Sequence, residues 1–564
     1  MQLASHTEFH DYIKNRERAL ALRQSLWIGQ DDASHHDHST IGGALSRAAR
    51  TWPDEEAVAF VHQPAIGETR WTFAELDAQS TALARGLLDR GYKAGERIAI
   101  WCPNHPNWIL LQYAIAKAGM VLVAINPLYR ERELAYALEA SDVVAVFHGD
   151  DVGETSPGSM LDRVAPGLPL LRGRFNLSHD LTAIAVAGAS EIRLPNTAPG
   201  DLCMIQYTSG TTGVPKAAWL SHGGITAIAA RTYARWGFGQ GDRVCHGFPM
   251  FHVGGSGSST PGSLIVGATT LPIYIFNAGQ ALDILERERC TGFIGVASMF
   301  AAMIEHESFA VRDLSSLKRM VVGGASVPPA FLSRCETAFG VPMLNGYGQT
   351  ESCGVSASVR PDDEAEKKTG TSGLALEGVS LKVVDPAGQV LPCGMPGELC
   401  VDGPGKMIGY GDDAATRLAF DRDGWLKTGD IATMDEQGYI TIVGRLKEMV
   451  IRGGENLYPA EIEALLIEHP DIAEAAVFGL PDERYGEELC AVLRPWNAQH
   501  AEPEGIRDWC FDRVSRWKVP RYVAFVDEMP TTPSGKIMKH ELLPKMAAHF
   551  GVPIERATEQ TDEL

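Results

Sequence analysis

The sequence predicts an α/β protein: a large N-terminal domain of doubly wound βαβ sheets closed by a small β subdomain, then a smaller α+β C-terminal domain. Three observations predict it. Helix-period segments alternate with short β-branched runs between Thr72 and Ala145, the texture changes to short strands and turn signals beyond Gly373, and a smaller helix-and-strand pattern begins after Gly444. At 564 residues and 45% hydrophobic composition the chain exceeds the length at which one core stops growing, so two or more domains are expected.

The alternation runs as a helix from Phe73 to Arg90, a strand from Arg97 to Trp101, a helix from Asn107 to Ala118 and a strand from Val121 to Ile125. A helix from Glu131 to Glu139 and a strand from Val143 to Phe147 follow, with later strands at Gly292 to Val296 and Arg319 to Val322. The β subdomain is expected from Ser380 to Val384, Gly397 to Val401 and Tyr439 to Val443, punctuated by turns such as Asp385-Pro-Ala-Gly388. Beyond it come a helix from Pro459 to Glu468, strands at Ala475 to Gly479 and Glu488 to Leu493, and a helix from Glu504 to Arg513. The boundary is expected near Arg445 to Lys447, dividing the chain into residues 1–446 and 447–564.

Several classes are disfavoured. The 71 acidic against 50 basic residues, a formal charge of −21, oppose a nucleic-acid footprint while leaving room for a local cation patch. Ten scattered cysteines signal neither a zinc site nor a disulfide framework and fit a reducing cytoplasm. Met1 to Arg23 lacks the apolar core of a secretory signal, and Asp31 to His38 reads as a polar surface loop. The apolar stretch Trp108 to Ile125 is interrupted by Gln112, Lys117 and Gly119, which suits a buried helix and strand and not a membrane span.

Tyr207-Thr-Ser-Gly-Thr-Thr-Gly-Val-Pro-Lys216 packs four hydroxyls (Thr208, Ser209, Thr211, Thr212), two glycines (Gly210, Gly213) and a lysine (Lys216) into ten residues after the apolar Leu202 to Ile205. Such a loop can wrap phosphate oxygens with backbone N–H groups, hydroxyls and one fixed charge; its composition alone also describes an ordinary surface loop. The spacing departs from G-x-x-x-x-G-K-[ST], so a P-loop ATPase is disfavoured. The stretch resembles the phosphate loop of the adenylate-forming superfamily: acyl-CoA synthetases, peptide-synthetase adenylation domains and firefly luciferases. The resemblance runs from Trp71-Thr-Phe-Ala-Glu-Leu76 to Pro530-Thr-Thr-Pro-Ser-Gly-Lys536, with motifs in family order and one departure, Ala217 where the family usually has Gly.

Asn345-Gly-Tyr-Gly-Gln-Thr-Glu351, with Gly346, Gly348 and Gln349 between the named ends, offers an aromatic face, an amide, a hydroxyl and a carboxylate: the groups a nucleotide and a divalent cation require. The resemblance implies Tyr347 against adenine, Asn345 near its amino group, Thr350 at the α-phosphate and Glu351, with Thr208, on Mg²⁺. Gly324, Ala325 and Ser326 lie in a strand-end loop whose small residues admit a ligand. Asp430 is implied to chelate the ribose hydroxyls and Arg445 to contact the ribose or phosphate side. Lys536, in a Pro/Gly turn, is implied to bridge the substrate carboxylate and the α-phosphate. Lys447 matches the hinge of a mobile C-terminal domain, and Gly453 and Gly454 match the loop presented for thioester formation.

The implied activity is an ATP- and Mg²⁺-dependent ligase that forms an acyl-adenylate and passes the acyl group to coenzyme A. Phe248-Pro-Met-Phe-His-Val-Gly-Gly255 resembles the segment flanking the acyl pocket, with His252 as a catalytic candidate that also reads as a core histidine. Pro249 replaces the Asp of amino-acid-activating relatives. Gly348 stands where acetyl-activating relatives carry Trp, and Gly254-Gly-Ser-Gly-Ser-Ser259 lacks bulk, so a medium- to long-chain or aromatic acid is expected. Loading of a carrier protein, a luciferase-like oxygenase, a kinase or ATPase that yields ADP, and a non-catalytic nucleotide- or acyl-binding protein are the alternatives. Family members often form homodimers, and nothing in these residues demands it.

Overall fold

The computed structural model describes residues 22–30, 39–151, 156–187, 192–208, 215–324, 327–496, 502–532 and 536–553. The expected Asp31 to His38 loop, residues 209–214 of the phosphate loop, Ala325 and Ser326 fall outside that set.

Two sheets form the core of the large domain. In the first, seven strands run in the order Gly409–Tyr410, Lys216–Ser221, Leu202–Thr208, Val121–Ile125, Arg97–Trp101, Val143–His148 and Gly173–Asn176. Its central strands are parallel, and Arg97–Trp101 is flanked by the next two strands on opposite sides, which makes it the switch point of a doubly wound sheet. The second has nine strands, with Met343–Gln349, Arg319–Gly323, Gly292–Gly295, Arg243–His246 and Thr269–Pro272 parallel at its centre.

A third, five-stranded antiparallel sheet from Leu26–Trp27 to Ile440–Arg445 closes the large domain, as the turn-rich sequence beyond Gly373 leads one to expect. Its last strand ends at Arg445, a 3₁₀ turn spans Leu446–Glu448, and a separate sheet follows. That sheet pairs the long strands Ile472–Asp482 and Gly486–Pro495, flanked by Val450–Arg452, Glu455–Leu457 and Tyr522–Phe525, and carries its own apolar core. The α/β class with a distinct α+β C-terminal body is therefore as expected.

Local chemistry sets the helices. Thr72 caps helix Phe73–Asp89 in a reciprocal capping box with Glu75. Helix Pro106–Lys117 is buried almost all round. Its polar interruptions are used inside the protein: the Lys117 ammonium reaches Asp77 Oδ1 at 2.7 Å, Asp77 O at 2.8 Å, and Ser80 Oγ and Thr81 Oγ1 at 2.9 Å, while Gln112 donates to Ser256 O at 2.8 Å. Burial pulls the Lys117 ammonium below its ordinary range, with Asp77 opposing. Among the described residues no helix is long and apolar enough to cross a membrane.

Residues Val253–Ser259 form a π-helix capped by His252. Its lack of bulk is used for close packing. A Cβ at Gly255 would lie 2.4 Å from Pro249 O, one at Gly257 2.7 Å from Val253 Cγ2, and one at the following Gly262 2.2 Å from the Tyr233 ring.

Glu288, just after helix Ala278–Arg287, joins strand Thr69–Thr72, strand Arg243–His246 and the segment after Glu56–Phe60, taking Arg70 at 2.7 Å, Arg243 at 2.5 Å and His62 at 2.8 Å with only 8% of its side chain exposed. Burial works against its charge, but Arg70, His62 and Arg243 hold the carboxyl at about 2, below the ordinary 4.5. A depressed native pKa stabilises the fold above pH 4.5, and that stabilisation is lost as pH falls towards 2. Glu288→Gln is expected to cost the large domain about 3 kcal/mol near neutral pH. Urea unfolding checks this, and the deficit should shrink as the measurement moves from pH 4.5 downwards.

Candidate active site

Tyr347, Glu351, Asp430, Arg445 and Lys216 lie where the second sheet, the third sheet and the paired strands of the first sheet meet, while Gly453 and Gly454 lie within the C-terminal body. Strand Arg319–Gly323 runs parallel to Met343–Gln349, with Gly323 opposite Gly346, and Gly324 follows at φ +85°. Strand Met343–Gln349 continues through the Asn345 motif and pairs antiparallel with Gly354–Ser358, with a bulge between Tyr347 and Gly348. The two backbones approach so closely there that a Cβ on Gly348 would lie 1.9 Å from Gly354 O. The absence of a side chain at 348 is thus required by the adjoining strand itself. Asn345 is buried, and its amide donates to Thr371 O at 3.2 Å. Gln349 is held by Ser352, and Thr350, 6% exposed, opens the 3₁₀ turn Thr350–Ser352 that presents Glu351.

Asp430 is the meeting point. It lies on strand Leu426–Met434 directly opposite Arg445. Tyr347 donates its phenol to Asp430 Oδ2 at 2.8 Å, and Arg445 Nε stands 3.1 Å from Oδ1. Burial, and then the Asp430 charge, push the Tyr347 phenol well above its ordinary range, so it remains a neutral donor.

Thr208 and Lys216 pair across the antiparallel strands Leu202–Thr208 and Lys216–Ser221 of the first sheet. The Lys216 ammonium sits 5.2 Å from the Tyr410 ring centroid, and Tyr410 donates to Glu351 Oε1 at 2.8 Å. Tyr410, on the short edge strand beside Lys216–Ser221, went unnoticed in the sequence; its one signal is an aromatic between Gly409 and Gly411.

Lys536 belongs to a hairpin fixed by Thr532 N to Lys536 O at 2.7 Å and Met538 N to Pro530 O at 2.7 Å. Burial and then Arg445 lower its pKa, while Asp430, Glu351 and Glu448 raise it, so the C-terminal body brings this ammonium into the electrostatic field of the large-domain site. Lys539 follows, paired with Glu448 at 2.7 Å and Glu463 at 2.8 Å. Lys447, one residue before Glu448, is itself lowered by burial and then by Lys216 and Arg445. Gly453 and Gly454, both at positive φ, turn a tight hairpin; Gly453 lies against Trp517 and Tyr485 of the same C-terminal body, and Gly454 faces open space.

His252 accepts the Gly254 N–H at Nδ1, 3.1 Å away. Burial and then Lys536 push its pKa down to about 4. At neutral pH it is an uncharged imidazole with its proton on Nε2, able to donate to an oxygen.

The donor set fits a magnesium nucleotide. Among the described residues no group of three His, Cys, Asp or Glu side chains could hold a metal ion. Glu351 supplies a carboxylate that shares Tyr410 with Lys216, and Mg²⁺ takes one or two carboxylates and draws its other ligands from phosphates and water.

Residues 45–411 match the family model of the AMP-binding enzymes, and residues 461–536 match that of the AMP-binding enzyme C-terminal domain. The mitochondrial medium-chain acyl-CoA ligase ACSF2 of Danio rerio is 36% identical over 545 residues, covering 91% of this chain and 89% of the relative. The anthranilate CoA ligase AuaEII in complex with anthranoyl-AMP superposes with a TM-score of 0.83 at 25% identity, covering 91% of this chain and 98% of that one. ATP-bound MatB from Rhodopseudomonas palustris gives 0.81 at 26% identity, over 90% and 99% of the two chains.

Gly348→Ala tests the close approach of the two strands. The added methyl requires Gly354 to move, so thermal unfolding should report a loss of about 2 kcal/mol. A variant as stable as the parent would mean that the strands part without cost.

Proposed function

This chain belongs to the AMP-binding enzyme family of adenylate-forming acyl-CoA synthetases, a family of ligases, and we propose that it joins a medium- to long-chain fatty acid or an aromatic carboxylic acid to coenzyme A. The observation that carries this reading is the cluster in which Lys536 stands in the field of Arg445, Asp430 and Glu351, with Arg445 paired to Asp430 and Lys216 joined to Glu351 through Tyr410. Likeness to a medium-chain ligase and to an anthranilate ligase supports the substrate classes. Pro249 stands where amino-acid-activating relatives carry an Asp for the substrate ammonium, which argues against an amino acid as substrate.

In the proposed first half-reaction, a carboxylate oxygen of the acid bonds to the α-phosphorus of ATP as the bond to the pyrophosphate oxygen breaks. Tyr347 stacks the base, Asp430 accepts the ribose hydroxyls on the lone pairs that Tyr347 and Arg445 leave, and Lys216 with the 208–213 loop holds the outer phosphates. Lys536 neutralises charge between carboxylate and α-phosphate, Thr350 donates to the α-phosphate, and the neutral His252 Nε2–H orients the acid. Glu351 and Thr208 would hold Mg²⁺, which supplies positive charge to the phosphate oxygens.

In the second half-reaction the thiol of coenzyme A attacks the acyl carbon and AMP leaves. Lys536 occupies the approach the thiol needs, so the unit 447–564 turns about Lys447 and brings Gly453 and Gly454 to the site. A separate carrier protein is the alternative acceptor, and the −21 charge gives an acidic carrier little long-range attraction. All ten cysteines are free, which supports work in a reducing compartment such as the cytoplasm.

Pyrophosphate release across acids from acetate to dodecanoate, with benzoate and cinnamate, tests the proposal. It should depend on the acid, rise and then fall with chain length, and yield AMP and an acyl-CoA; each buried methylene contributes about 0.8 kcal/mol. ADP as product, or no acid-dependent pyrophosphate, overturns it. Lys536→Ala should block pyrophosphate release by about a hundredfold or more while sparing thiolysis of a supplied acyl-adenylate; equal loss of both steps would remove Lys536 from its assigned role.

A further inference from the structure

Asn104 lies in the loop after strand Arg97–Trp101, at the switch point of the first sheet, and is 4% exposed. Its side chain makes three hydrogen bonds, all to backbone of the other sheet's loops. The amide nitrogen donates to Phe248 O at 3.0 Å and to Ile273 O at 2.8 Å, and the amide oxygen accepts from Met250 N at 2.6 Å. Phe248 and Met250 follow strand Arg243–His246, and Ile273 follows Thr269–Pro272. One amide thereby sets two loops of the second sheet in register with a loop of the first.

The segment it grips leads straight to the acid-side residues. His252 N donates to Pro249 O at 3.1 Å, closing a turn between the gripped residues and the imidazole. The π-helix rests on the same turn, since a Cβ on Gly255 would meet Pro249 O at 2.4 Å. The Phe248 ring lies between two glycines: a Cβ on Gly254 would be 3.0 Å from it and one on Gly324 3.6 Å. Gly324 follows strand Arg319–Gly323, so the ring also rests against the end of that strand.

We propose that Asn104 is a positioning residue for acid binding: it presets Phe248 and His252 before substrate arrives. The proposal rests on the reading above, in which that segment lines the acid pocket. Only a side chain with two donors and one acceptor at this length meets all three backbone groups. An aspartate would turn a carboxylate towards two carbonyl oxygens, and an alanine would leave three buried groups without partners.

Gln63 provides the control. It grips the next loop alone, donating to Pro272 O at 3.0 Å and accepting from Tyr274 N at 2.6 Å. In steady-state assays Asn104→Asp and Asn104→Ala are expected to raise KM for the acid by about tenfold while KM for ATP moves less than about twofold. Asn104→Asp should recover towards acidic pH, where a protonated carboxyl again donates to one carbonyl. Gln63→Ala should leave KM for the acid unchanged. A folded Asn104→Asp with an unchanged acid KM, or equal rises in both KM values, overturns the proposal.

Should both variants fail to fold, hydrogen exchange of the wild-type chain decides. Residues 248–252 should be as protected without acid as with it, and exchange that slows more than about tenfold when acid and ATP are added means that substrate sets the loop and Asn104 does not. Absence of acid-dependent pyrophosphate in the wild-type enzyme defeats the functional reading instead, before Asn104 enters.

Discussion

The site depends on one buried carboxylate. Asp430 is 4% exposed, and its two oxygens face a phenol from the second sheet and a guanidinium from the last strand of the third. A carboxylate removed from water needs such partners, and these two come from different sheets. The pairing therefore fixes the angle between sheets as well as the local geometry. It also fixes Arg445, the last residue of the large-domain sheet before the turn Leu446–Glu448, so the large-domain side of that turn is held in place.

Charge is distributed against the average. The chain carries a formal −21, yet Lys216, Arg445, Lys447 and Lys536 share one field with Glu351, Asp430 and Glu448. Like charges and burial lower the proton affinity of both lysines at the junction, which is the electrostatic state a polyanionic ligand relieves. A net charge of −21 discourages long nucleic acid, which would need a broad positive face, while the local cluster of lysines and Arg445 leaves a small triphosphate a focused one.

Much of this was legible in the residues. Strands Arg97–Trp101, Val121–Ile125 and Ser380–Val384 stand where their β-branched runs put them, because buried strands read as apolar runs. Strand Met343–Gln349 was half hidden, since its second part is Asn345 to Gln349 and carries no apolar alternation. The π-helix was invisible: Gly and Ser in sequence signal a loop, and only close packing against Tyr233, Val253 and Pro249 makes a helix of them. Tyr410, Asn104 and Lys539 were equally silent, because each acts on a partner far away in sequence that periodicity does not encode.

The π-helix has a consequence for how this cleft can change its shape. A π turn carries one residue more than an α turn, and an α-helix advances by about 100° per residue. Deleting a single residue from Val253–Ser259 would let the ladder relax to α and swing the following helix Thr260–Ile265 by about that angle relative to His252. With Gly348 pinned by its neighbouring strand and Gly255 by Pro249, there is little latitude for side-chain exchange. Remodelling this wall is thus a matter of chain length: a gain or loss of one codon here redirects a whole turn at once.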